Sequence, residues 1–151
     1  MNEYSFTTYR YGYKQDTPST ETEMKVLLEG LGRNILKHLG EVELGKSLRI
    51  FMRDKENRTV GGITAELFGG WVYISLLWVE ESLRNQGFGS ELLDRLEKEA
   101  VLLGCTNAHM DTYSFEARPF YEKAGYQVFG KLDDYPAGCS KYFLKKPLTQ
   151  P

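Results

Sequence analysis

Apolar residues in the first third of the chain recur at intervals of three and four, the period of an α-helix with one buried face. The residues of this face are Met24, Leu27, Leu28, Leu31, Ile35, Leu36 and Leu39. We predict a helix that begins after Thr20, whose side chain forms a capping box with Glu23, and that stops at Gly40. Gly30 and Gly32 lower the helix propensity of its middle, which predicts a weak point at which the helix breaks in two.

Segments on either side of this helix have the alternating pattern of strands. Every second residue from 48 to 52 is apolar, and residues 59–68 and 71–79 are rich in β-formers. The two consecutive glycines between the last two segments are typical of a two-residue hairpin, so these strands are expected to be antiparallel. An earlier strand is expected over residues 4–10.

The second half of the chain predicts two helices and three strands. Residues 90–103 have one apolar face and predict a long helix, and residues 117–124 predict a short one with Pro119 in its first turn. Strands are expected over 107–112, 126–132 and 141–144. A right-handed crossover through the long helix would make the strand at 107–112 parallel to the strand at 71–79.

This order of elements predicts an α/β fold of the α+β type. The sheet is expected to be mixed and mostly antiparallel, with one central βαβ crossover, rather than the alternating pattern of a doubly wound parallel sheet. A length of 151 residues suits a single domain over residues 1–151.

Composition excludes several functional classes. The 19 basic and 21 acidic residues give a net charge of −2, without the basic stripe of a nucleic-acid-binding protein. No apolar run approaches the roughly 18 residues of a membrane span, and the N-terminus is acidic where a signal peptide is basic. Cys105 and Cys139, the only cysteines, suit neither a disulfide framework nor a zinc site. We therefore expect a cytoplasmic protein with no metal, nucleic-acid or membrane partner.

The turn before the long helix has the chemistry of a phosphate site. Gly87 and Gly89 allow a ligand to approach the backbone closely, and the helix start presents unpaired N–H groups and a positive dipole end. Arg84 can form two hydrogen bonds to phosphate oxygens, and Ser90 adds a hydroxyl donor.

Other interpretations of the same turn are a plain loop with a solvated arginine or a different nucleotide motif, because short motifs often match by chance. A Walker loop ends in Gly-Lys-Ser/Thr, whereas Gly89 is followed by Ser90 and Glu91. A dinucleotide fingerprint needs a glycine or alanine where this chain has Leu92, and it opens a βαβ unit rather than following an antiparallel hairpin.

Two segments resemble signatures of the GNAT superfamily of N-acetyltransferases. Arg84-x-x-Gly87-x-Gly89 is similar to the Gln/Arg-x-x-Gly-x-Gly/Ala signature. The second segment is Ala117-Arg118-Pro119-Phe120-Tyr121-Glu122-Lys123-Ala124-Gly125-Tyr126. Both occur in the family's order and on the expected elements, and the clear resemblance covers about residues 59–145.

The resemblance implies acetyl-coenzyme A as the cosubstrate, held where two parallel strands, here 71–79 and 107–112, splay apart into a V. The implied cosubstrate-binding residues are Leu77, Trp78, Val79, Arg84, Asn85, Gln86, Gly87, Phe88, Gly89, Ser90, Ser114, Ala117 and Phe120. Ser114 stands where many members of the family have an asparagine.

The implied reaction is direct attack of a primary amine, on a small molecule or a peptide, on the thioester in a ternary complex. A lysine-like amine has a pKa of about 10.4 and must lose a proton to react. A backbone N–H near Trp78 or Val79 is expected to stabilise the oxyanion. Tyr121 matches the tyrosine that lies near the cofactor sulfur in many members, and we assign it as the acid that protonates the leaving thiolate.

The base and the acceptor stay open at this point. Some members use a glutamate where this chain has Tyr73. Candidate bases, each of which is also explained as a structural or surface residue, are Glu66, Glu81, Asp111, His38 and His109. Asp133 and Asp134 either hold a cationic acceptor or form a solvated acidic surface. A non-catalytic acyl-coenzyme A sensor is the alternative function, and a homodimer is compatible with either.

Overall fold

A computed structural model describes residues 5, 20–40 and 46–148. The chain divides into two compact units, Met1–Val42 and Glu43–Pro151. The strand expected over residues 4–10 lies outside the described residues apart from Ser5. A single domain over residues 1–151 stays a prediction.

The described part of the first unit is one helix, α1 (Glu21–Leu39). The expected break is wrong, because the helix continues through Gly30 and Gly32 without interruption. The capping box is also wrong, because Thr20 is the N-cap residue but its side chain makes no capping hydrogen bond. Gly40 ends the helix as predicted: its φ is 70°, and its N–H donates to the carbonyl of Leu36 at 2.9 Å.

The second unit is built on a mixed sheet. Its described elements are β1 (Lys46–Arg53), β2 (Thr59–Phe68), β3 (Trp71–Val79), a 3-10 helix (Glu81–Leu83), α2 (Phe88–Leu102), β4 (Asn107–Tyr113), α3 (Arg118–Lys123), β5 (Gln127–Asp133) and β6 (Ser140–Pro147). The strand order is β1-β2-β3-β4-β6-β5. Among the described strands, only β3 and β4 pair in parallel, which confirms a mostly antiparallel sheet with one βαβ crossover through α2.

Local sequence signals explain most of these boundaries. The β2–β3 hairpin turns through Gly69 and Gly70, whose φ angles of 59° and 80° favour glycine. β6 is longer than the predicted 141–144 because it pairs along its length with β4 on one side and β5 on the other. Long-range pairing of this kind leaves no signal in the segment itself.

One face of the sheet packs with α2 in a single buried cluster. The residues of α2 in this cluster are Leu92, Leu93, Leu96, Ala100 and Val101. The strands contribute residues that are almost completely buried, among them Ile63, Val72, Ala108 and Leu144. This packing fixes the position of the α2 N-terminus relative to β3 and β4.

We predict that Leu96→Ala lowers the free energy of unfolding by about 2–5 kcal/mol, because the leucine is fully buried and its truncation leaves a cavity. Leu102→Ala is the matched control on the same helix. Leu102 is 72% exposed, so its change should stay within about 0.5 kcal/mol. Urea denaturation measures both, and equal losses for the two variants would contradict this description of the core.

Candidate functional site

The site begins where β3 and β4 part. The two strands pair over only four residues each, from Trp71 with Asn107 to Ile74 with Met110. β3 then continues to Val79 along β2, and β4 continues to Tyr113 along β6. Beyond Ile74, the edge of β3 that faces β4 therefore has no strand partner among the described residues. Its backbone donors and acceptors on that side are available to a ligand.

A bulge at Ser75 produces this parting. Thr64 of β2 pairs with Leu76 and Ala65 pairs with Ile74, so Ser75 is the extra residue. Its hydroxyl donates to the carbonyl of Thr64 at 3.1 Å and lies 2.9 Å from the Thr64 hydroxyl. An extra residue bends a strand and increases its local twist, which directs β3 away from β4.

The glycine turn lies at the end of β3 and leads into α2. Gly87 is the N-cap residue, with a φ of 89° that a side chain would strain. The first intrahelical bond runs from the N–H of Glu91 to the carbonyl of Gly87. The N–H groups of Phe88, Gly89 and Ser90 have no backbone acceptor among the described residues. These donors and the helix dipole suit an anion.

Arg84 connects this turn to the end of β3. Its Nε donates to the carbonyl of Val79 at 3.0 Å, which holds the guanidinium between the strand end and the turn. Its two Nη atoms form no hydrogen bond to a described residue, so they can reach an anion at the start of α2.

A continuous groove joins the parted strands to the turn. We call the part between the strands the fork cleft, and its volume is about 580 Å³. We call the part beside the glycine turn the turn cleft, and its volume is about 330 Å³. Both parts are lined by Leu77, Trp78, Val79, Arg84, Ala117 and Tyr121. The turn cleft adds five other predicted residues, which are Asn85, Gly87, Gly89, Ser90 and Phe120.

Three predicted cosubstrate-binding residues do not line either part of the groove. Gln86 donates from its side-chain amide to the carbonyl of Ser82, and Phe88 lines a separate apolar cleft beside β1. The Ser114 hydroxyl accepts from the N–H of Ser140 at 3.0 Å and so joins β4 to β6. Their part in cosubstrate binding stays a prediction.

Tyr121 lies at the junction of the two clefts. Its side chain is 6% exposed and packs edge-on against the rings of Phe120 and Tyr126. Burial raises the pKa of Tyr121 to about 12, and the negative charge of Glu116 adds to this effect. The phenol is therefore held protonated at neutral pH.

Sequence reasoning missed two groups that line the fork cleft. Phe115 is 64% exposed and stacks on Tyr113, and Glu116 accepts hydrogen bonds from the Thr112 hydroxyl and the Tyr113 N–H. Both lie between the strand end and α3, where no periodic pattern indicates which way a side chain points.

The carboxylates of Asp133 and Asp134, at the end of β5, contact neighbouring residues of the protein. Asp133 lies 2.6 Å from Lys131 and accepts from the Ser140 hydroxyl, and these contacts lower its pKa. Asp134 accepts from the N–H of Gly138 at 3.3 Å. Neither lines the groove, so a role in binding a cationic acceptor stays a prediction.

Within the described ranges, no helix is long and apolar enough to span a membrane. No group of three or more His, Cys, Asp or Glu side chains in those ranges is arranged to hold a metal ion.

Comparison with known proteins identifies relatives with acetyltransferase names. A family model described as the acetyltransferase (GNAT) family matches residues 14–126. An acetyltransferase of Agrobacterium fabrum is 34% identical over 131 residues, covering 87% of this chain and 94% of the relative. Blasticidin-S acetyltransferase of Streptomyces morookaense is 35% identical over 89 residues, covering 58% of this chain and 65% of the relative. The crystal structure of an acetyltransferase from Bacillus cereus has a TM-score of 0.81 at 30% identity, covering 89% of this chain and 98% of that one.

Two glycine substitutions should separate folding from ligand binding in the turn. Gly87→Ala should lower the free energy of unfolding by about 1–2 kcal/mol, because alanine is strained at a φ of 89°. Gly89→Ala should leave stability unchanged, because the new methyl group would meet only the Phe120 ring at 3.5 Å, an ordinary contact. That methyl narrows the turn cleft, so the Kd for acetyl-coenzyme A should rise about tenfold, a loss of about 1.4 kcal/mol.

Thermal unfolding and isothermal calorimetry measure the two effects. Gly32→Ala in α1 is the control, because nothing lies within 4 Å of the added Cβ. It should neither lower the free energy of unfolding nor raise the Kd for acetyl-coenzyme A. Unchanged affinity in Gly89→Ala would remove the turn cleft from the cosubstrate site.

Proposed function

Because the chain belongs to the acetyltransferase (GNAT) family, whose members use acetyl-coenzyme A, we propose that it transfers an acetyl group from acetyl-coenzyme A to a primary amine. The amine belongs to a small molecule or a peptide, and it attacks the thioester directly in a ternary complex. The observation that carries this proposal is one groove that connects an open strand edge, an anion-binding turn and a buried tyrosine.

The two parts of the groove match the two halves of the cosubstrate. The open edge of β3 along Leu77, Trp78 and Val79 offers backbone groups to an amide-containing arm. The free N–H groups at the start of α2, with Arg84, offer donors to a pyrophosphate. Binding of a pyrophosphate by these groups needs no metal ion, because the donors are already cationic or polarised.

The thioester carbonyl in this arrangement lies near the fork, where a backbone N–H of β3 can stabilise the tetrahedral oxyanion. Tyr121 donates a hydrogen bond to the leaving sulfur. A thiol has a pKa of about 8.5, so a phenol near 12 is the weaker acid. Tyr121 therefore stabilises the developing thiolate mainly through its hydrogen bond, and solvent restores any proton that the phenol gives up.

The direct test is acetyl transfer to a panel of amines. The purified protein is mixed with acetyl-coenzyme A and with spermidine, kanamycin, blasticidin S, lysine or a lysine-rich peptide, and free thiol release is followed. Blasticidin S is included because one relative is named for it. Release stimulated by one amine class supports the proposal and identifies the acceptor.

The other outcomes discriminate between the remaining functions. Tight binding of acetyl-coenzyme A without release by any amine would favour the sensor function. Absence of binding by calorimetry would overturn the assignment of the groove.

Tyr121→Phe should lower kcat about 100-fold while the Kd for acetyl-coenzyme A changes little, because the phenol acts on the leaving sulfur only during reaction. Tyr126→Phe is the matched control. The Tyr126 hydroxyl donates to Glu97 at 2.9 Å behind Tyr121, and its loss should cost about 1–3 kcal/mol of stability with kcat preserved. Equal kcat in wild type and Tyr121→Phe would exclude Tyr121 as the hydrogen-bond donor to the leaving sulfur.

A further inference from the structure

Asp111 is the first residue of β4 beyond the fork, the point at which β3 and β4 part. Met110 is the last β4 residue that pairs with β3, and Asp111 lines the fork cleft immediately after it. The reacting amine must reach this point, because the proposed function places the thioester carbonyl there. The inference below rests on that proposed function.

Two neighbours hold the Asp111 carboxylate in place. Oδ1 lies 2.8 Å from the Lys141 ammonium, and Oδ2 accepts from the Tyr73 hydroxyl at 2.8 Å. The Asp111 side chain is 20% exposed, so it is shielded from bulk water but can be reached. A carboxylate has about four lone-pair positions, so two remain for an incoming N–H group.

The alternation of β4 places this carboxylate opposite Tyr121. Met110 and Thr112 are buried, and Met110 belongs to the cluster that contains Tyr121, whereas Asp111 between them points to the other face of the sheet. Under the proposed function, a nucleophile that approaches from the Asp111 face would attack from the side opposite Tyr121. Asp111 and Tyr121 are therefore on opposite faces of the sheet where β3 and β4 part.

Glu116, the other carboxylate of the fork cleft, lies on the Tyr121 side. Its Oε2 accepts from the hydroxyl of Thr112, which points into the buried face, and its charge raises the pKa of Tyr121. A base at Glu116 would sit beside the acid rather than beside the incoming amine.

We propose that Asp111 is the catalytic base that accepts the proton of the attacking amine, with Tyr73 and Lys141 as positioning residues. The nitrogen lone pair forms the new C–N bond, the C–S bond breaks, and the electron pair leaves on sulfur. An ammonium acceptor loses two protons in all: one appears on the thiol of coenzyme A, and one passes through Asp111 to solvent.

The Lys141 ammonium is the cation that contacts the Asp111 carboxylate. The charged and titratable groups around it and around its two partners are Lys141 on β6, Tyr73 on β3, Glu66 on β2, His109 and Tyr113 on β4, and Tyr135 in the loop after β5. The ion pair with Asp111 raises the pKa of Lys141, so the cation that holds the carboxylate persists to high pH. Burial lowers the pKa of His109, so this ring is neutral at neutral pH and adds no competing charge.

The test compares two amines that differ in their need for a base. A strongly basic alkylamine, n-butylamine, is protonated at neutral pH, whereas methoxyamine is already a free amine there. Asp111→Asn should lower kcat/KM for n-butylamine about 100-fold or more, but for methoxyamine less than about tenfold. If the fastest amine of the panel is an alkylamine, its kcat/KM should fall as much as that of n-butylamine. The rate of the variant with n-butylamine should recover as pH rises and free amine accumulates.

Two further variants separate chemistry from folding. Asp111→Asn combined with Lys141→Met removes both charges of the half-buried pair, and it should show the same selective loss with normal acetyl-coenzyme A affinity. Glu99→Gln removes an exposed carboxylate of α2 that lines neither part of the groove, and it should leave both rates unchanged.

The possible failures are distinguishable. A wild-type protein that transfers acetyl to no amine fails the proposed function itself. A wild-type protein that is active, with equal losses for n-butylamine and methoxyamine in Asp111→Asn or with no loss at all, overturns the assignment of Asp111 as base.

Discussion

The parting of β3 and β4 is the constraint on which the rest of the site depends. Neighbouring strands normally satisfy each other's backbone groups, and leaving such groups unpaired in a buried place costs free energy. Here the cost is limited, because each strand keeps one full neighbour: β2 pairs along β3, and β6 pairs along β4. The opening therefore removes only one set of hydrogen bonds, and that set faces the groove where a ligand can replace it.

Chain connectivity then brings the glycine turn to the same place. β3 leads through the 3-10 helix at Glu81–Leu83 into the turn, and the buried face of α2 fixes the helix start at the mouth of the opening. Arg84 reinforces this arrangement, since its bond to the Val79 carbonyl ties the turn to the last residue of the strand. The same crossover that makes β3 and β4 parallel also aligns the helix dipole with the groove.

The sequence predicted the elements better than the details that shape the site. Periodicity and glycine positions indicated the hairpin, the parallel pair, α2 and α3, because these signals are local. The capping box failed because an N-cap side chain needs extended backbone geometry, whereas Thr20 has φ −111° and ψ 20°. The Ser75 bulge depends on the register between two strands, and the contact of Asp111 with Tyr73 joins residues 38 positions apart. Neither leaves a trace in the spacing of apolar residues.

Acidic residues of the second unit illustrate the same limit for electrostatics. A count of carboxylates suggests a surface that attracts cations, but the structure gives several of them partners: Asp111 has Lys141, Asp133 has Lys131, and Glu97 has Lys146. The exposed pair at Asp133 is screened by solvent and contributes little, whereas the half-buried pairs at Asp111 and Glu97 keep their partners. The field that an acceptor meets is therefore set by a few lone pairs in the fork cleft rather than by the net charge of the chain. The exposed ring of Phe115 adds an apolar surface to the same cleft.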